Sequence, residues 1–311
     1  MSPSNISRRE FIQRTSLGAA VALTPLSDLA AREAAQPRAR WKVIAFSKPF
    51  TNLSFDDTAD LVADVGWDGI ECPVRKTSTH IVPERVDDDL PKMVEALKKR
   101  GREVSLITTD ITGVDRSAEQ VLRAAAKLGI RRYRLGPVRY VADKSLPDQI
   151  EGIKARLRDL AQLNKTIGIQ GGIQNHSGQD YFGAPVWDAV DVIRSLPAAD
   201  IGIAFDIGHA TLEGGLSWPL QARLAEPRYS LVYVKDFRWE KQERGWRPVW
   251  CPLGEGMVAG PRFFATLAKS RYDGPVCQHH EHEIGKTPAE MVVHFKRDLA
   301  TLRRWLGEAG S

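Results

Sequence analysis

Four segments in the second half of the chain share one construction, and it limits the folds open to this sequence. They are 168–178 (GIQGGIQNHSG), 201–210 (IGIAFDIGHA), 231–239 (LVYVKDFRW) and 274–283 (GPVCQHHEHE). Each opens as a short apolar run of the kind that forms a strand buried on both faces. Each then releases Gln, Asn, His, Asp, Lys or Glu where that strand would end. Polar residues at the carboxyl ends of successive parallel strands are how a β/α barrel assembles a site.

The first half supplies the matching elements. Strand signals at 43–47, 69–74, 103–110 and 132–137 alternate with helical patterns at 55–66, 83–101, 117–129 and 147–166. Further helical stretches lie near 186–195, 218–225, 261–270 and 287–307. Strand and helix alternate throughout without an internal break, so the reading is α/β, a single-domain (β/α)8 TIM barrel over residues 40–308. At 311 residues the chain accommodates a barrel of about 250 residues and a leader. A doubly wound open sheet would show a Gly-rich phosphate loop after its first strand, and Phe46–Asn52 is not one.

The first 35 residues read differently. Arg8, Arg9 and Phe11 precede the weakly apolar stretch 17–26 and the Ala-rich stretch 29–35. A basic start, an apolar middle and a small-residue exit predict an export signal cleaved near residues 30–35. The adjacent arginines resemble a twin-arginine leader, which implies a periplasmic or otherwise exported protein. No stretch reaches the roughly 20 apolar residues that span a membrane. Net charge is +5, but 44 basic and 39 acidic residues are interspersed, so no nucleic-acid partner is expected. Three cysteines, Cys72, Cys251 and Cys277, do not describe a disulfide framework.

The connection 236–256 is too long for a simple strand-to-helix turn and carries Trp239, Trp246 and Trp250. Tryptophans above a barrel mouth offer flat faces for sugar rings, and equally serve to pin a loop to the barrel.

Glu71 after Gly69-Ile70, the pair Asn175-His176, Asp206-x-x-His209, Lys235-Asp236 and Glu281 occur in an order that resembles the xylose isomerase-like superfamily. That group includes sugar phosphate isomerases/epimerases, tagatose 3-epimerase-like enzymes and inosose dehydratases. The resemblance covers nearly all of the chain after Trp41 and implies a carbohydrate ligand. It also implies dimers or tetramers, although no interface stripe is evident. Members hold one divalent ion, Mn²⁺, Mg²⁺ or Co²⁺, with two glutamates, an aspartate and a histidine. Here the aspartate position is matched by Asp206, but Gln174 and His279 stand at the glutamate positions and Tyr233 at the histidine position. Gln174, Asp206 and His279 are thus the expected metal ligands, with imidazole shifting preference toward Zn²⁺. A second set, His176, His209, Asp206 and Glu281, and a metal-free polar pocket both remain open.

The expected catalytic residues are Lys235, Glu281, His209, His176 and Glu71, with Asn175 and the three tryptophans binding substrate. Glu71 is open to a second role, pairing with a barrel cation such as Arg134. Lys235, late in a strand, requires a counter-ion, and Asp206 or Asp236 can supply it. Alternation sends His279 and Glu281 to one face and His280 and His282 to the other. The function these residues imply is proton transfer beside a sugar, polyol or keto-glycoside carbonyl by an isomerase or epimerase. A lyase or hydratase on a keto-glycoside and a non-catalytic sugar-binding barrel are the alternatives. DNA-repair endonucleases of the same fold need more His and Glu ligands than this chain presents.

Overall fold

The computed structural model describes residues 41–310, so the export signal read in residues 1–35 lies outside the described residues. Eight strands form one closed barrel, in which the strand at 276–278 closes the ring between those at 43–46 and 229–234 and the others lie beside their neighbours in sequence. In chain order they are β1 (Val43–Phe46), β2 (Gly69–Pro73), β3 (Glu103–Thr108), β4 (Arg132–Arg134), β5 (Gln170–Gln174), β6 (Ile201–Asp206), β7 (Tyr229–Val234) and β10 (Val276–Gln278). All of their pairings are parallel. Parallel neighbours require a crossover, and helices provide it: α1 (Phe55–Val65), α2 (Val86–Lys99), α3 (Arg116–Lys127), α4 (Leu146–Ile167) and α5 (Trp187–Val192) follow the first five strands. α6 (Ile207–Gly214) and α7 (Trp218–Ala225) follow β6, α8 (Gly260–Leu267) precedes β10, and α9 (Pro288–Gly310) closes the ring. The (β/α)8 architecture is therefore the one expected from the alternation of the sequence.

The helices begin and end for local reasons. Ser54 caps α1 by accepting from the Asp57 amide at 3.1 Å, and Gly66, at φ +95°, ends it in the left-handed conformation. Acidic Asp87, Asp88 and Asp89 open α2 while Lys98 and Lys99 close it, which suits the helix dipole.

The period of two along each strand divides the core. Val43, Ala45, Ile70, Cys72, Tyr133, Ile173, Phe205 and Val232 face the helices and join their apolar faces in the larger cluster. Ile44, Phe46, Leu106, Ala204, Leu231, Tyr233 and Cys277 fill the barrel interior. Burying each large side chain contributes about 1.5–3 kcal/mol.

The segment 236–256 differs from the expected loop. Most of it is an antiparallel hairpin, β8 (Asp236–Gln242) with β9 (Gly245–Cys251). Phe237 pairs with Trp250 and Trp239 with Pro248, so apolar side chains share one face. Gly245, at φ +101°, completes the tight reversal. Among the described residues no helix is long and apolar enough to cross a membrane.

Candidate active site

The interior parity continues past the apolar layer into a polar one. Two residues beyond Leu106, Ala204, Tyr233 and Cys277 stand Thr108, Asp206, Lys235 and His279. Arg134 and Gln174 hold the equivalent inward positions at the ends of β4 and β5, and Glu71 points inward from the middle of β2. All but Gln174 are buried, at the carboxyl end of the barrel. Two networks result.

The first is centred on Lys235, whose side chain is 2% exposed. Its Nζ lies 2.7 Å from Glu281 Oε1, 2.8 Å from His209 Nε2 and 3.5 Å from Asp206 Oδ2. An ammonium has three donors and here meets three acceptors. The Trp250 ring covers it, with Nζ 4.3 Å from the ring centre. His209 Nδ1 lies 2.7 Å from Ser177 Oγ. Burial first, and the Lys235 charge second, hold the His209 pKa well below its usual range, so the ring is neutral. With Nε2 accepting from Lys235, Nδ1 carries the proton and donates to Ser177. Burial would raise the Asp206 carboxyl, but Lys235 and His279 lower it on balance. Burial likewise opposes ionisation of Glu281, and Lys235 overrides it to bring the carboxyl down to about 2.

Local structure sets this geometry. Asp206 caps α6, Oδ1 accepting from the His209 amide at 3.1 Å, so the helix starts directly at the strand end. Gly208 lets that first turn approach the β7 end; a Cβ there would sit 2.8 Å from Lys235 Cγ and 2.9 Å from its carbonyl oxygen. Asp236, one of two partners foreseen for Lys235, instead accepts from the amides of Phe237, Gly254, Gly256 and Val258 and ties the hairpin base to the following loop.

The second network is centred on Glu71, fully buried. It accepts from Thr108 Oγ1, from Tyr233 OH at 3.1 Å, from Arg134 Nε at 3.1 Å and from Cys277 Sγ at 3.3 Å, with His279 Nε2 3.2 Å away. Burial raises its pKa, yet Arg134 and His279 outweigh that and hold the carboxyl at about 2. Arg134 also donates to Gln174 Oε1 at 2.6 Å and lies over the Phe46 ring at 4.7 Å.

A cavity of about 220 Å³ opens above both networks. Phe46, Arg75, Arg134, Gln174, His176, His279 and Glu281 are among its lining residues. His176 Nδ1 is 2.8 Å from the Ser177 carbonyl oxygen, which can only accept. Burial and then Lys235 lower the His176 pKa, so the ring is neutral and Nε2 carries the lone pair.

Among the anticipated residues, Lys235, Glu281, His209 and His176 come together, with Trp250 over Lys235. Glu71 lies below them against Arg134, in the second of its two foreseen roles. Two expectations need correction. Asn175 does not reach the cavity: it is fully buried, with Nδ2 on the Asp206 carbonyl at 3.0 Å and Oδ1 on the Asp206 amide at 2.7 Å. Trp239 and Trp246 stand on the outer part of the hairpin, 42% and 62% exposed, and do not line the cavity. Arg134 and Ser177 were not singled out as site residues. Counting strand parity back from Cys277 and Tyr233 to β4 would have found Arg134, whereas Ser177 gave no signal beyond adjacency to His176. His280 and His282 face α9, against Asp298 at 3.8 and 3.4 Å.

The donors anticipated for a divalent ion do not fit one as arranged. Gln174 turns its amide oxygen to Arg134 and its nitrogen to Asp206 Oδ2, 3.1 Å away. Asp206 faces Lys235, and His279 turns Nε2 to Glu71. Glu71, Cys277 and His279 do place three ligand-type atoms within 4.8 Å of one another. Burial and Glu71 raise the Cys277 thiol far above its usual range, so it donates to the carboxylate instead of offering a thiolate. Two fixed cations, Arg134 and Lys235, already serve the carboxylates.

The sequence profile of the xylose isomerase-like TIM barrel family matches residues 59–304. No curated protein sequence matches the chain. Among solved structures, a D-psicose 3-epimerase is 17% identical with a TM-score of 0.63, covering 86% of this chain and 99% of that one. A 3-keto-D-glucoside 4-epimerase from E. coli is 17% identical with a TM-score of 0.65, covering 85% and 99%. A xylose isomerase-like TIM barrel protein from Mycobacterium smegmatis, in complex with magnesium, is 16% identical with a TM-score of 0.62, covering 86% and 98%. At these identities the likeness establishes the fold alone.

Proposed function

The chain belongs to the xylose isomerase-like TIM barrel family, and from that premise we propose that it is a sugar isomerase or epimerase-like enzyme. It moves a proton at the carbon beside the carbonyl of a sugar, polyol or keto-glycoside. The observation that carries this reading is that neutral His176 and the Glu281 carboxylate line one small cavity with Arg134 in its wall and Lys235 bonded to Glu281 behind it. Abstracting a proton next to a carbonyl builds negative charge on the oxygen, and a preorganised cation stabilises that charge in a water-poor site. Arg134 supplies it from the cavity wall, and Lys235, behind Glu281, adds its charge from outside the lining. A base near neutrality takes the proton, and neutral His176 is suited to that task. Protonated His176 returns that proton to the enediolate, while the ionised Glu281 carboxylate, held by Lys235, accepts from substrate hydroxyls and Trp250 closes over Lys235. Ser177 and Asn175 act through other residues, fixing the His209 tautomer and the Asp206 backbone.

The substrate reading draws on the similarity to the D-psicose and 3-keto-D-glucoside epimerases. Export, read from Arg8, Arg9 and the apolar stretch that follows, favours a free sugar or oxidised glycoside over a cytoplasmic phosphate ester. Loss of a β-substituent from the same enediolate would make the enzyme a lyase.

The test is proton NMR in D₂O on a panel of ketohexoses and 3-keto-glucosides. Deuterium should enter at the carbon beside the carbonyl, with His176→Gln lowering the rate by about 10²–10⁴-fold. The wild-type rate should stay level through neutral pH and fall only below about 6.5, because the His176 pKa lies below the ordinary histidine value. Binding of a panel sugar without exchange at any carbon would overturn proton transfer and leave a sugar-binding barrel.

A further inference from the structure

We propose that Lys235 Nζ is the resident cation of a latent divalent-metal site built from Asp206, His209 and Glu281. The protein thereby carries, as part of its own chain, the positive charge a bound ion would supply. The inference rests on site geometry and does not depend on the carbonyl chemistry proposed above.

The three acceptors around Nζ are an aspartate, a histidine and a glutamate, at 3.5, 2.8 and 2.7 Å. These are the ligand types of a mixed oxygen and nitrogen site. Their supports are also those of a metal site. A metal-bound imidazole usually donates its other N–H to a neighbour, which fixes the tautomer, and His209 Nδ1 faces Ser177 Oγ at 2.7 Å. Ligating carboxylates are themselves hydrogen-bonded, and Asp206 Oδ1 accepts from the His209 amide while Asn175 clamps its backbone. Asp206 Oδ2 and His209 Nε2 lie 3.5 Å apart, close to the roughly 3.4 Å edge of a tetrahedral zinc site with bonds of about 2.0–2.2 Å. Glu281 stands farther out; at 32% exposure it is the donor with room to close in. What keeps an ion away is the ammonium itself, enclosed by three acceptors and the Trp250 ring at 4.3 Å. Removing the lysine side chain leaves two buried or half-buried carboxylates with no cation between them, an arrangement that a divalent ion relieves.

The experiment titrates Co²⁺ and Zn²⁺ into chelator-treated protein in three forms: wild type, Lys235→Ala and Lys235→Met. Visible Co²⁺ absorption and thermal denaturation are the readouts. Lys235→Ala should take up about one ion per chain with tetrahedral-type absorption, and its Tm should rise by several degrees at about a hundredfold excess over Kd. Asp206→Asn in that background should abolish both effects. Wild type and Lys235→Met, in which charge or volume fills the space, should show neither. A Lys235→Ala chain too weak to fold alone still reports, because an ion bound only by the native state restores its transition. Saturable Co²⁺ absorption in wild type or in Lys235→Met overturns the proposal. So does a Lys235→Ala variant that shows neither the band nor the rise.

Discussion

A carboxylate with no access to water stays ionised only if its neighbours replace the hydration it has lost. Glu71 is such a group: 0% exposed, held at about 2, with Arg134 as the permanent cation in direct contact with it. Removing that partner strands the charge, because Thr108, Tyr233 and Cys277 supply hydrogen bonds but no positive charge. Arg134→Met should therefore destabilise the fold by about 3–5 kcal/mol, the cost of breaking a buried pair from one side. A double variant that also changes Glu71 to Gln should recover most of that loss, since the orphaned charge is then gone. Chemical denaturation of the two variants and wild type checks this; a loss in the single variant that the double does not recover would assign Arg134 a packing role instead. The sequence shows Glu71 and Arg134 only as charges late in two strands. Their meeting depends on which face each strand turns inward, so both roles of Glu71 stayed open until that face was known.

At the level of elements, the strand ends carry the site and a hairpin covers it. Asp206, Lys235 and His279 could be placed from sequence because each follows an apolar run with clear alternation. The β8–β9 hairpin was hidden by its polar composition. Glu240, Lys241, Glu243 and Arg244 mask the pairing of Phe237 with Trp250, and only the aromatic alternation marks the two strands. Its register decides which tryptophan matters. Trp250 lies at the base, where its edge meets His209 with ring centres 5.5 Å apart and its face meets Lys235. Trp239 and Trp246 are carried away from the mouth toward solvent. Trp250→Ala should accordingly weaken binding of whichever panel sugar the D₂O experiment identifies by about tenfold, because Lys235 loses the ring that fixes its ammonium and with it the Glu281 carboxylate it holds at the cavity wall. Trp239→Ala and Trp246→Ala should leave it within twofold. Calorimetric titration distinguishes these outcomes, and equal losses at all three positions would show that the whole hairpin closes on the ligand.

Across the whole molecule, titration should reveal how many histidines the barrel buries uncharged. Period-two alternation correctly divided His279 from His280, but sequence could not show that His280 lacks a hydrogen-bonding partner at either nitrogen. It packs against Phe295 and Trp67, with ring centres 4.6 and 5.6 Å away, and its nearest carboxylate, Asp298, is 3.8 Å off. Burial lowers the pKa of His209, His279 and His280 below the ordinary 6.5 and takes His80 and His282 down to about 4. The unfolded chain then binds more protons than the native one as pH falls below 6.5. Stability is complete above that value and lost toward the folded pKa values. Glu71 and Glu281, held near 2 against 4.5, add a second loss only below about 4.5. Asp298 acts in the opposite sense: burial raises it to about 6, so its contribution is present at low pH and is lost as pH rises through that value. Acid destabilisation should therefore begin near pH 6.5, before the two low-lying glutamates titrate. His280→Leu isolates one part of it. An apolar side chain needs no partner there, so the variant should match or exceed wild type by about 1 kcal/mol near pH 8, and by a larger margin near pH 5. Urea midpoints at the two pH values decide the matter, because a margin that does not grow on acidification would mean that His280 is protonated at no cost in the folded barrel.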